Sequence, residues 1–433
     1  MPTTDDDVSP PPSVSDDLPS RPAGQADDGA RKPSRPTRVR GVQLLAAVGL
    51  VVAALNLRPG ISGLGPLLAE VRDGLGMNST VAGLVTSVPP ACFAAFGGLA
   101  PRLARKKGPT PVVLLGMAAV TVGLLLRAFA PDTTSFLAAS VLALAGIAVS
   151  NVLMPVVVKH WFPDRVGSMT GLYSMALAVG TSGSAAIAVP MTEALGGSWR
   201  VGLGAWAVLG LFGVVVWTAL RIASGSLREQ SEGSAAQSTS AVRVSRSPLA
   251  WALAFFFGLQ ASAAYITMGW MAQIFRDSGT SAGTAGLLVA VAMGMGIPLS
   301  FVLPRLAERL RNQGPLVLIL GVCGLIGYAG LFLAPAQGAW VWAVVLGISN
   351  CAFPLALTMI GMRARSHAGV VQLSAFAQST GYLFSIPGPL LVGALHGATG
   401  GWGVPLALMA LLLLGQMASG VLAGRNRVIE DGR

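Results

Sequence analysis

Leu55-Asn56-Leu57-Arg58-Pro59-Gly60 lies within Leu44–Leu68, a run that is otherwise apolar or small. An arginine at the centre of such a run costs roughly 2.5–3.5 kcal/mol on membrane-insertion scales. Pro59 lacks a backbone N–H and its ring clashes with the preceding turn, so a helix through this stretch breaks or kinks there. A costly charge beside a helix defect, in a run long enough to cross a bilayer, marks a membrane span that carries function.

Composition extends this reading to the whole chain. Of 433 residues, 53% are hydrophobic and 11% charged, with a mean hydropathy of +0.67. A soluble domain carries about 25% charged residues. The formal charge of +11 does not indicate nucleic acid, because the basic residues are scattered between apolar runs. Cys92, Cys323 and Cys351 all fall in apolar runs and are expected as thiols. About 40 polar residues precede the first apolar run, so no cleavable signal peptide is expected.

Twelve apolar stretches follow, near 42–68, 79–101, 110–130, 134–158, 166–190, 199–221, 249–274, 281–303, 314–334, 338–362, 368–393 and 402–424. The expected organisation is a disordered cytoplasmic tail over 1–40, six helices over 41–221, a cytoplasmic linker over 222–248, six helices over 249–424 and a short tail over 425–433. With the N-terminus inside, 24 of the 29 lysines and arginines fall on the cytoplasmic side and three outside (Arg72, Arg200, Arg276). That bias places both termini in the cytoplasm of a multi-pass protein of the plasma (inner) membrane. Arg58 and Arg127 remain inside spans.

The two halves resemble each other. Ala82-Gly83-Leu84 recurs as Ala285-Gly286-Leu287 and Pro101-Arg102-Leu103-Ala104 as Pro304-Arg305-Leu306-Ala307, both at an offset of 203. Ser150-Asn151 recurs as Ser349-Asn350 at 199, and Leu55-Asn56 matches Leu259-Gln260 at 204. Ordered matches at a nearly fixed offset indicate a six-plus-six duplication, with a binding site between the halves near the midplane.

The connector Gly97-Gly98-Leu99-Ala100-Pro101-Arg102-Leu103-Ala104-Arg105-Lys106-Lys107 resembles the signature loop of the major facilitator superfamily, with Pro101 where an aspartate is usual and Ala104 where a glycine is usual. Leu55-Asn56-Leu57-Arg58-Pro59, Gly65-Pro66-Leu67-Leu68, Met154-Pro155-Val156-Val157-Val158-Lys159 and Phe257-Gly258-Leu259-Gln260 resemble the cyanate permease and nitroimidazole transporter family. The resemblance implies an all-α fold of twelve transmembrane helices in two pseudo-symmetric bundles. It also implies transport of a small solute, with cyanate as one example and efflux of neutral nitroaromatic or drug-like compounds as the alternative.

None of the eighteen acids sits mid-span, and His160, His367 and His396 lie near span ends, so no carboxylate proton relay is expected inside the membrane. Arg58 and Arg127 thus have no buried acid to pair with. A bound anion would relieve that cost, and a guanidinium fork fits small planar anions. Arg58 and Asn56 are the leading substrate-binding candidates on the first span; the plainer role for Arg58 is bonding to carbonyls freed by the break. Asn151, Gln260, Tyr265, Asn350, Gln378 and Tyr382 are expected to bind substrate with them. Ser374, Gln378 and Tyr382 form one polar stripe, which must face protein or water. Arg127, Lys159, Tyr173, Trp270 and Ser374 are further cavity or gate candidates. Arg127 sits close enough to its span end to snorkel, and Trp270 to join an interfacial belt. Arg102, Arg105, Lys106, Arg305 and Arg309 are expected in cytoplasmic gating loops.

No Walker loop, metal-ligand spacing or nucleophile–base pair is present, so neither an enzyme, a cofactor nor a metal site is expected. The expected partners are a small-molecule substrate, a proton if transport is coupled, and the bilayer, for a chain acting as a monomer. A transporter-like sensor is the reading from another class.

Overall fold

The computed structural model describes residues 37–225 and 244–432. Residues 1–36 of the expected tail and 226–243 of the expected linker lie outside the described residues. Every long element is a helix, and no strand occurs among the described residues. In chain order the helices are α1 (Thr37–Asn56), α2 (Pro59–Ser62), α3 (Leu68–Leu75), α4 (Ser79–Gly97), α5 (Ala100–Lys107), α6 (Pro109–Ala128), α7 (Thr133–Trp161), α8 (Val166–Ala194) and α9 (Trp199–Gly225). They continue as α10 (Pro248–Asp277), α11 (Ala282–Gly294), α12 (Gly296–Arg309), α13 (Gly314–Leu333), α14 (Ala339–Asn350), α15 (Ala352–Met362), α16 (His367–Ser385), α17 (Pro387–Thr399) and α18 (Gly403–Ala423).

Among the described residues, eleven segments are long and apolar enough to cross a membrane. The remaining expected span, near 368–393, falls short because it is split at Pro387 into α16 and α17 and because Gln372, Ser374, Gln378, Ser379 and Thr380 lower its apolarity. Local chemistry sets the helix ends. Gly76 ends α3 in the left-handed region (φ 63°), where a side chain would be strained. Asn78 caps α4 by accepting the Val81 N–H. Asp132 caps α7 in a reciprocal box with Ser135, and accepting that N–H holds the exposed carboxyl below its usual pKa.

Within the first half α6 packs on α7 and α9, and α4 on α7; within the second, α10 packs on α16 and α18, and α13 on α14 and α18. The halves meet along α4 against α17 and α8 against α11. At these crossings the duplicated Ala-Gly-Leu triplets show their purpose. A Cβ on Gly83 would lie 2.9 Å from the Leu390 carbonyl, and one on Gly286 would lie 2.8 Å from the Ala185 carbonyl. The two glycines therefore let backbones touch at equivalent points of the two halves. Both crossings lie toward the end opposite the one where α10 begins and α18 ends, termed here the far end. Residues Val166–Ser168 and Thr170, at the start of α8 on the near end, are exposed.

Overpacking a tight crossing costs typically 1–3 kcal/mol. Gly286→Val is therefore expected to part α8 from α11 and to raise the rate at which a far-side, membrane-impermeant thiol reagent labels Met268→Cys, roughly tenfold or more. Unchanged labelling would show that this crossing does not seal the far end.

Candidate functional site

The predicted break in the first span is present. α1 ends at Asn56, and Arg58 precedes the four-residue α2. The chain then passes through a 3-10 turn over Gly65–Leu67 before α3. The Arg58 carbonyl is recaptured locally, accepting the Ile61 and Ser62 N–H groups at 2.9 Å each and the Ser62 hydroxyl at 3.0 Å. Ser62 also meets the Ser184 hydroxyl at 2.6 Å, tying the break to α8. The Gly65 turn presses on α10, where a Cβ would lie 1.9 Å from the Met268 carbonyl. The partially buried Arg58 side chain remains. Its Nε is a buried donor with no hydrogen-bond partner among the described residues.

The chain has four tyrosines, and the charge of Arg58 reaches three of them: Tyr173, Tyr265 and Tyr382. They come from α8, α10 and α16, so both halves contribute. Tyr173 donates to the Asn151 side-chain oxygen, joining α8 to α7. Tyr382 stacks on Phe93 of α4 (centroids 5.0 Å apart) and meets Phe257 of α10 edge-on at 5.2 Å. Gln378 donates to Ser374 one turn before it at 2.6 Å, so part of the polar stripe is internally satisfied. The result is a guanidinium donor whose charge acts on three phenols drawn from both halves, with no carboxylate paired to it among the described residues.

Other candidates sit elsewhere. Asn56 is fully buried and donates to the Leu209 carbonyl of α9 at 2.8 Å, away from Arg58, because two residues turn a helix through about 200°. Gln260 reaches the Asn350 carbonyl and Asn350 reaches Thr267, both at 3.4 Å, and this pairing satisfies the break between α14 and α15. Gln260 keeps a buried, unpaired side-chain oxygen. Lys159 is exposed at the near end, as are Arg102, Arg105 and Lys106 on α5 and Arg305 and Arg309 on α12.

Two expectations about placement are overturned. Arg127 does not snorkel: it is 1% exposed, donates to the Gly60 carbonyl and the Ser140 hydroxyl at 2.8 Å each, and lies 5.2 Å over the Phe136 ring. The carbonyl freed beside the helix break gives it a better partner than the interface does. Trp270 joins no interfacial belt: it is fully buried, and its Nε1 donates to the Thr86 hydroxyl (3.1 Å) and the Pro389 carbonyl (3.2 Å). It therefore plugs the meeting of α4, α10 and α17.

Sequence reasoning also missed residues that it had assigned to connectors. Arg363, counted among near-side charges, is 2% exposed; it donates to the Ala423 and Gly424 carbonyls and to Gln313, clasping α15 to α13 and α18. At the far end Arg276 forms a two-pronged bridge to Glu70 (2.8 and 2.9 Å) that crosses between the halves. No periodic signal marks either, since their partners lie 50 or more positions away.

A broken first helix lies against an unbroken α10 in a duplicated, all-helical bundle. The sequence profile of the Major Facilitator Superfamily matches residues 49–389. The chain belongs to that superfamily. Within it, the protein is 30% identical over 88% of its length to an uncharacterised transporter of Bacillus subtilis (strain 168), of which it covers 94%. It is 29% identical to the 2-nitroimidazole transporter of Escherichia coli (strain K12), over 90% of this chain and 97% of that protein. It is 28% identical to the cyanate transport protein of the same organism, over 85% of this chain and 94% of that protein.

In this facilitator the two arginines of the first half should separate by experiment. Arg127→Ala leaves the Gly60 carbonyl unpaired in the core and opens a cavity, with an expected loss of roughly 2–4 kcal/mol. Arg58→Ala removes a donor that has no partner to lose and should leave thermal unfolding in detergent nearly unchanged. Equal destabilisation by both would refute the division.

Proposed function

We propose that this facilitator moves a small, planar, anionic or strongly polarised solute by alternating access, with Arg58 as the principal binding group. The observation that carries the reading is the buried, unpartnered Nε of Arg58, whose charge acts on three tyrosines from both halves. A guanidinium held in the membrane without a counter-ion is costly, and a bound anion supplies the missing partner. The phenols of Tyr265 and Tyr382 would offer further donors, while the Tyr173 hydroxyl already donates to Asn151. Because the tyrosines come from both halves, a solute bound among them would feel the halves move.

The cyanate relative supports an anionic cargo. The 2-nitroimidazole relative and the stacked Phe93–Tyr382 wall support the second reading, transport of neutral nitroaromatic compounds, since a nitro group presents a planar, polarised edge. In this proposal residues 41–221 and 249–424 are the two rocking bundles. In the same proposal both termini are cytoplasmic, a reading the charge bias supports, so that the far end is extracellular and the described state inward-facing. The far-side contacts of α4 with α17 and of α8 with α11 support that assignment.

In proteoliposomes the wild-type protein is expected to accumulate labelled cyanate. Arg58→Lys, which keeps charge but not the fork, should weaken uptake about ten- to a hundredfold, and Arg58→Ala should abolish it. Wild-type uptake by Arg58→Ala would sink the proposal. Competition by 2-nitroimidazole with no cyanate uptake in any variant would favour the second reading.

A further inference from the structure

The far-end seam carries chemistry that cargo binding leaves unused. His396 lies in the last turn of α17, past the apolar stretch expected to end at 393. Its Nδ1 is 3.4 Å from the Ser79 hydroxyl, on the first residue of α4 in the opposite half. Its Nε2 is 3.6 Å from the Asp277 carboxylate, at the end of α10 in its own half. Trp402 faces the imidazole with centroids 4.2 Å apart. The backbone there is tight as well, since a Cβ on Gly393, one turn earlier, would lie 2.4 Å from the Ser79 carbonyl.

We propose that His396 is a proton-binding site, and that protonation from the far side opens the seam between α4 and α17. The hydrogen-bond inventory fixes the closed form. A carboxylate only accepts, so Nε2 carries the hydrogen that faces Asp277, and Nδ1 accepts from the Ser79 hydroxyl. Neutral His396 thereby bridges the two halves through Ser79, with its Nε2 hydrogen set toward Asp277 at 3.6 Å, beyond hydrogen-bond length. A second proton puts a donor on Nδ1, and the Ser79 hydrogen must turn away.

Which state the proton favours depends on what changes when the seam parts. Asp277 and Trp402 belong to the same half as His396 and travel with it. Both favour the imidazolium, and they do so whether the seam is open or closed. Ser79 and Arg72 belong to the other half. Closing brings up the like charge of Arg72 on α3 and removes water, and both effects favour the neutral ring. The remaining charges of the seam are the Glu70–Arg276 pair, whose sum is zero. The start of α4 presents Ser79 and Thr80 to this region and the chain before α18 presents Trp402, none of which titrates here. In the closed form burial is the largest influence on His396 and holds its pKa below the usual range, with Asp277 opposing and Arg72 adding to it. Opening restores water and raises it. A base whose pKa is depressed in one state stabilises that state above the other state's pKa and loses that contribution as pH falls through it. The closed seam is therefore stable at neutral pH and gives way near and below about pH 6.5.

The sidedness of this response is a property of the seam and stands apart from the identity of the cargo. It also gives a transporter without mid-span carboxylates a titratable group at its gate.

The test needs no substrate. Spin labels at Thr80→Cys and Ala398→Cys, both exposed, straddle the seam, with Cys323→Ala removing the thiol that is not buried. Pulsed electron paramagnetic resonance on the reconstituted full chain would follow the distance between about pH 5 and 8. We expect the long-distance population to grow toward acid, with the open-to-closed ratio changing up to tenfold per pH unit, as one linked proton requires. His396→Gln and His396→Asn should both stay closed throughout. His396→Lys should stay open, and Asp277→Asn should move the midpoint to lower pH. Glu70→Gln should loosen the seam at every pH without removing its pH dependence. If the Gln and Asn variants keep the wild-type midpoint, or the parent pair ignores pH, the proposal is wrong.

Discussion

The low-dielectric interior of a membrane bundle leaves a buried guanidinium few choices, and the structure shows three outcomes. Arg127 is satisfied without an acid by a carbonyl, a hydroxyl and an aromatic face. Arg363 is satisfied by Gln313 and two carbonyls at a helix junction. Arg58 alone of the three keeps an unpartnered donor. The first two outcomes depend on helix breaks, because only a broken or ending helix has carbonyls to spare. The break at Pro59 therefore does two things at once. It frees the Gly60 carbonyl for Arg127, and it leaves the Arg58 Nε without a partner.

The duplicated halves use one plan with a single important departure. Their equivalent glycines, Gly83 and Gly286, sit at equivalent crossings where helices from opposite halves touch through backbone. Their first spans differ. The first half breaks at Pro59, while α10 runs unbroken over 30 residues with Ala261 and Ser262 near the matching position. The charge beside a broken first span thus belongs to one half, and the Gly65 turn packs closely against the unbroken α10. Far-end closure is layered: backbone contact at the glycines, the Trp270 plug, and the polar groups Glu70, Arg276, Asp277 and His396 outermost.

Much of the fold was readable because bilayer physics writes directly into sequence. Apolar runs of span length, the charge bias of connectors and the constant offset between Ala82-Gly83-Leu84 and Ala285-Gly286-Leu287 each report a local or periodic rule. The helix break was readable for the same reason, since proline acts on its own turn. The site was less readable. Nothing about Asn56 in the chain distinguishes an amide aimed at a cavity from one aimed at Leu209, and only the packing of α9 settles its direction. Arg363 looked like a connector charge because its partners, Gln313 and Gly424, are 50 and 61 positions away.

The stretch Leu55–Gly60 divides these contributions plainly. Sequence alone determined that a charge and a helix break coincide inside a membrane span, since both follow from residue type and local chain geometry. It also determined that no mid-span acid neutralises that charge. Only the tertiary structure decided which arginine is spent on the scaffold and which keeps a free donor, and only it brought tyrosines of α8, α10 and α16 under the influence of the Arg58 charge. Those outcomes depend on how helices far apart in the chain rotate and approach, and buried hydrogen bonds are chosen by that approach rather than by neighbours in sequence.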